Sequence, residues 1–81
     1  MTETPEHNYK HIKFEKVNES PSGKTATFNC ENHDGTPLGA VEWMNGWRQY
    51  VFAPDEETVY SHSCLLDVAD FIAKLMEARK A

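Results

Sequence analysis

Two pairs of residues carry side chains that could hold a metal: Cys30-x-x-His33 and His62-x-Cys64. Two thiolates and two imidazoles in a tetrahedral array are the chemistry of a structural zinc site. Neither pair is a CxxC knuckle, and His62-x-Cys64 is an unusual spacing. The competing account makes both cysteines small core hydrophobes and both histidines solvated, and it is the one adopted: no metal and no cofactor are expected. A Cys30–Cys64 disulfide is the other option. Two cysteines are few for a small secreted domain, so reduced thiols in a cytosolic protein are expected. Catalytic arrangements are weaker still. Ser61-His62-Ser63 sets a histidine between hydroxyls, but sequence neighbours point in different directions and no nucleophile elbow surrounds them. A dyad of Cys64 with a histidine competes with a core cysteine. Asp55-Glu56-Glu57 reads as a solvated loop, and no glycine-rich phosphate loop is present. No catalytic residue is assigned, and the chain is not expected to be an enzyme.

The elements that would position these groups follow from periodicity. Residues 1–8 read as a disordered N-terminal tail, because nothing there looks buriable, and 9–81 as a single α+β domain. A chain of 81 residues buries only roughly 60% of its unfolded surface, which leaves no room for a deep enclosed site. In YKHIKFEKV, Ile12 and Phe14 share one strand face. In TATFNCE, Ala26, Phe28 and Cys30 do. NESPSGK and NHDGTP are turns, the latter with Asp34-Gly35 as hairpin signal. LGAVEWM and WRQYVFA flank Asn45-Gly46, the strongest hairpin signal in the chain. Pro54 ends that strand, and the pattern allows a brief fifth strand at Val59-Tyr60. Ser61 or Ser63 can cap a helix whose apolar stripe is Leu65, Val68, Ala69, Ile72, Leu75 and Met76. Cys64 and Phe71 border that stripe, and Leu66 lies off it. The fold expected is an antiparallel meander of about four strands with one C-terminal helix on one face.

A two-residue turn at Asn45-Gly46 would set Met44 opposite Trp47, Trp43 opposite Arg48, Val41 opposite Tyr50 and Gly39 opposite Phe52. Val41, Trp43, Arg48, Tyr50 and Phe52 then share the face beneath the helix, with Arg48 lying on Trp43. Ala40, Glu42, Met44, Trp47, Gln49 and Val51 share the open face. Most of EWMNGWRQYVF is therefore core. Trp47 has two accounts: a partly exposed ring closing the hairpin end, or an interaction hot spot. On the second account the partner rim is Trp47, Arg48, Met44 and Glu42, which Leu66, off the helix stripe, could extend.

Net charge is −5, and residues 25–62 hold all of it, with six acids against Arg48 alone. Such a surface repels phosphate backbones and suits a basic protein partner. The N-terminus has no apolar h-region and no apolar run approaches a membrane span, so a cytoplasmic protein without membrane attachment is expected.

LGAVEWMNGWRQYVFAP followed by TVYSHSCLLDVADFIAKL resembles a family of small uncharacterised bacteriophage and prophage proteins. Their pattern is L-G-x-I-x-W-x-x-x-W-R-x-Y-x-F-x-P, a short spacer, then C-L-x-x-I-x-x-F-I. Leu38, Gly39, Val41, Trp43, Trp47, Arg48, Tyr50, Phe52 and Pro54 match the first part, and Cys64, Leu65, Val68, Phe71 and Ile72 the second. The match covers the C-terminal half. It implies a phage or prophage origin and a fold, and it carries over no activity. Three functions remain open. The first is a non-catalytic module that binds a host or phage protein, acting as a monomer or weak homodimer in the host cytoplasm. The second is an assembly protein that self-associates through its sheet. The weakest is a nucleic-acid binder using Lys10, Lys13, Lys16 and Lys24.

Overall fold

The computed structural model describes residues 2–80. Strands β1 (Ile12–Glu19), β2 (Ala26–Asn32), β3 (Pro37–Met44) and β4 (Gln49–Pro54) precede one helix, α1 (His62–Lys80). The strands pair antiparallel in the order β1-β2-β3-β4, an α+β meander of the kind the strand alternation and the helical stripe imply. The alternating apolar residues of each strand point the same way: Ile12, Phe14, Ala26, Phe28, Cys30, Val41 and Tyr50 are buried beneath Val68, Phe71 and Leu75 of the helix. Gly35 turns β2 into β3 at φ 93°, where a side chain is disfavoured. Asp34 Oδ1 accepts the Thr36 amide at 2.9 Å in the same turn, and this bond holds the Asp34 carboxyl below its usual range. Ser61 caps α1, its Oγ accepting the Cys64 amide at 3.2 Å and its carbonyl the Leu65 amide at 3.0 Å.

Four local expectations are corrected. The β3–β4 loop has four residues, Asn45 to Arg48, rather than two: Trp47 donates to Met44 O and Arg48 to Asn45 O, both at 3.2 Å. Met44 pairs with Gln49, Trp43 with Tyr50, Val41 with Phe52 and Gly39 with Pro54. The left-handed residue is Arg48, at φ 54°, and Gly46 is not among the positive-φ residues, so no type I′ turn forms. The physical reason lies on the covered face. A two-residue loop would set the Arg48 charge into the ladder beneath the helix, whereas the longer loop lifts it into solvent. The register moves by two residues, so the assignment of Val41, Trp43, Tyr50 and Phe52 to the covered face survives.

The helix stripe is rotated from its expected position. Val68, Phe71 and Leu75 are buried and Cys64, Ile72 and Met76 half-buried, while Leu65 is 50% exposed and Ala69 faces solvent. Phe71 decides the rotation. Its ring stacks on Phe14 at 4.0 Å between centroids and meets Phe28 edge-on at 5.3 Å. The brief fifth strand does not form. Val59 is 90% exposed, and the Tyr60 hydroxyl instead donates to Leu38 O.

Residues 2–8 have no regular secondary structure, but the expectation that nothing in this segment packs fails at His7. Its ring sits edge-on against Phe71 at 5.1 Å and Phe14 at 5.6 Å. Nε2 accepts the Phe14 amide at 3.1 Å, so the proton is on Nδ1, which faces Pro5 O at 2.8 Å. Tyr9 next in line donates to Asp70 Oδ2 at 2.7 Å, and Lys74 lies 3.2 Å from the same carboxylate. The Tyr9 hydrogen bond, then that of Lys74, holds the Asp70 carboxyl below its usual range.

Candidate functional site

The open face of the sheet is read off the register. Lys13, Glu15, Asn29, Glu31, Ala40, Glu42, Val51 and Ala53 point away from the helix in cross-strand pairs. Three carboxylates stand there against one lysine, and Lys13 already pairs with Glu31 at 3.6 Å. A small-residue strip, Ala40 beside Ala53, runs down the middle. At the hairpin end this face meets a rim: Glu42 and Met44 on β3, then Trp47 and Arg48 in the loop, all four exposed. The side chains read from sequence as a partner rim are thus brought together, with Trp47 at 65% exposure and Met44 at 37%. Trp47 sits in the loop rather than on the pleated face, since the four-residue turn takes it out of the ladder.

Arg48 does not lie on Trp43. That place is taken by Arg79 of α1, whose guanidinium carbon is 4.1 Å from the Trp43 ring centroid and whose Nη1 donates to Lys24 O at 2.9 Å. Trp43 is therefore wedged between Arg79 and Tyr50, whose ring it meets edge-on at 5.3 Å. The Tyr50 hydroxyl accepts the Ala26 amide at 3.3 Å, and burial pushes its pKa up. Next to this wedge lies a groove of about 510 Å³ lined by Thr2, Lys24, Tyr50, Leu75, Ala78 and Arg79. Neither the Arg79 contact nor the groove was legible in sequence. Late cations in a helix signal only the dipole, and what they touch depends on where the helix crosses the sheet.

Among the described residues, no three His, Cys, Asp or Glu side chains gather as a metal site would require. Cys30 is buried on β2, and His33 is exposed with Nε2 against Tyr9 O at 2.8 Å. His62 is exposed at the start of α1, and Cys64 is half-buried one turn from the cap. Both cysteines are free thiols, and burial pushes the Cys30 thiol up to about 12. A neutral, inaccessible thiol does not react. Native alkylation should therefore label Cys64 alone, with Cys30 reacting only in denaturant. Labelling of both at equal rates would contradict the burial of Cys30. Two lysines of the basic set considered for nucleic acid are held in ion pairs, Lys13 with Glu31 and Lys16 with Glu19 at 3.2 Å. Among the described residues, no helix is long and apolar enough to cross a membrane.

The fold and site define a four-stranded antiparallel meander, covered on one face by a helix and carrying an aromatic rim at one hairpin tip. No protein-family model, curated protein or solved structure matches this chain. The residues of the sequence pattern divide by burial: Leu38, Gly39, Val41, Tyr50, Val68 and Phe71 are packed inside, whereas Trp47, Arg48, Pro54 and Leu65 are exposed.

Proposed function

We propose that this protein is a non-catalytic, phage-type binding module that acts in the host cytoplasm on a host or phage protein through the Trp47 rim and the acidic open face. The observation that carries the reading is Trp47, which is 65% exposed in a defined loop beside Met44 and Arg48. Trp, Met and Arg are the residues enriched where interfaces bury most. Fixing Trp47 in a hydrogen-bonded turn lowers the ordering cost on binding. Glu15, Glu31 and Glu42 on the adjoining face select a basic partner, chiefly through encounter rate.

The test places a photo-crosslinking residue at exposed Gln49, beside the rim, in cells and compares capture with and without Trp47→Ala in that background. One basic protein should be crosslinked, and its capture should weaken as salt screens the face. Trp47→Ala should abolish capture while moving stability by no more than about 0.5 kcal/mol, as for other exposed positions. If Trp47→Ala leaves both stability and capture intact, the rim is not the site.

A further inference from the structure

The two edges of the sheet are treated differently. Along β1 the edge is covered by the N-terminal segment of the chain itself. The Phe14 amide is taken by His7 Nε2 at 3.1 Å, Lys16 Nζ reaches Thr2 O at 2.9 Å, and the Thr2 amide donates to Glu19 at 2.9 Å. A register irregularity between Lys16 and Asn18 and a run of charged side chains protect that edge further. The β4 edge has none of these devices. Its sequence, QYVFAP, carries no charge. The Asp55 amide donates to Leu38 O at 2.9 Å, which sets the phase of the ladder: Gln49, Val51 and Ala53 bond to β3, and Tyr50 and Phe52 turn their amides and carbonyls outward. No side chain or loop of the described residues hydrogen-bonds to those groups. An uncharged, unpaired edge is a template for another strand.

We infer that β4 is the contact through which two copies of this chain join, antiparallel, into one eight-stranded sheet. A pairing centred on Val51 sets Tyr50 of each copy opposite Phe52 of the other. All of the outward groups of these residues are then satisfied by reciprocal backbone bonds, in an isologous contact that closes on itself. The ends of β4 are complementary under the same operation. Arg48 stands at one end and Asp55, Glu56 and Glu57 at the other, so the antiparallel match lays each Arg48 beside the acids of the second copy. Trp47 comes opposite Asp55 of the second copy, at the two ends of the seam. A face-to-face dimer through the open faces would instead bring together six carboxylates, Glu15, Glu31 and Glu42 of both copies, against two lysines, and like charges disfavour it.

The experiment is sedimentation equilibrium over a concentration series, with amide exchange at Tyr50 and Phe52 followed in the same samples. The wild-type chain should be a concentration-dependent dimer, and both amides should become protected as the dimer forms. Val51→Lys sets two lysines against each other across the two-fold axis. Within one copy, however, that lysine faces Glu42 on the half-exposed open face, so the fold is retained and is checked by circular dichroism. The variant should weaken the dimer by roughly tenfold or more. Arg48→Glu should weaken it too, and Arg48→Glu with Asp55→Arg should recover part of the loss. A chain that stays monomeric at every concentration overturns the proposal and leaves the edge to a strand from another protein. So does a dimer that Val51→Lys leaves unchanged, or one in which the Tyr50 and Phe52 amides exchange at a concentration-independent rate. Trp47→Ala leaves every outward backbone group of β4 in place, so it should keep the dimer while losing partner capture, and the two readings fail separately.

Discussion

Phe71→Ala should cost about 3–5 kcal/mol, the range for truncating a phenylalanine in a packed core. Phe71 is fully buried and is the one helix residue that stacks on Phe14 of β1, meets Phe28 of β2 and takes the His7 ring from the N-terminal segment. Its removal leaves a hole bordered by three elements that cannot all close on it. A domain of this size has a total stability of roughly 4–12 kcal/mol, by the usual stability per residue. Much of the chain should therefore be unfolded at ambient temperature, or its urea midpoint should fall steeply with an unchanged slope. Leu66→Ala is the control on the same helix. Leu66 is 56% exposed, and its loss should shift stability by no more than about 0.5 kcal/mol. Equal effects from the two variants would mean that the helix packs on a different face.

Gly39→Ala tests sign as well as size. Propensity alone favours alanine over glycine within a strand by roughly 0.5–1 kcal/mol. The space denies it. A Cβ at Gly39 would stand 2.6 Å from Ala53 O, 2.9 Å from Phe52 Cζ and 3.0 Å from Pro54 Cα. Two of these three atoms are backbone of the neighbouring strand, so relief requires β3 and β4 to part. Overpacking of this kind costs about 1–3 kcal/mol and outweighs the propensity gain. Gly39→Ala should lower the thermal midpoint, and Gly39→Val should lower it further. Phe52→Leu in the Gly39→Ala background should not restore it, because the nearest contact is a carbonyl oxygen rather than the ring. A stabilised Gly39→Ala protein would show that β4 does not lie against this glycine.

Trp47 and Gly39 show how far local pattern reaches. Both belong to the same hairpin and to the same stretch of resemblance. Gly39 is explained in full by packing against β4, whereas Trp47 has no core partner that would require it. A binding role is an economical account of an exposed ring held in a defined turn. The proposed β4 contact is compatible with it, since the two Trp47 rims would lie at opposite ends of the seam.

The sequence by itself determined the order and kind of the elements and which residues of each strand face inward. Those properties rest on periods of two and 3.6 residues, on turn formers such as Asp34-Gly35, and on a cap such as Ser61, all local interactions. Parity is robust for the same reason, and the covered face of β3 and β4 was legible even though their register was not. Tertiary structure decided everything that needs one element to choose its place on another. It set the hairpin two residues out of its expected register, because a covered face excludes the Arg48 charge. It rotated the helix stripe toward Phe71, because aromatic stacking on Phe14 outweighs the burial of Leu65. It laid Arg79 rather than Arg48 on Trp43 and drew His7 onto the edge of β1. Each of these outcomes compares the desolvation of a charge or the filling of a volume across residues distant in the chain, and no local pattern encodes that comparison.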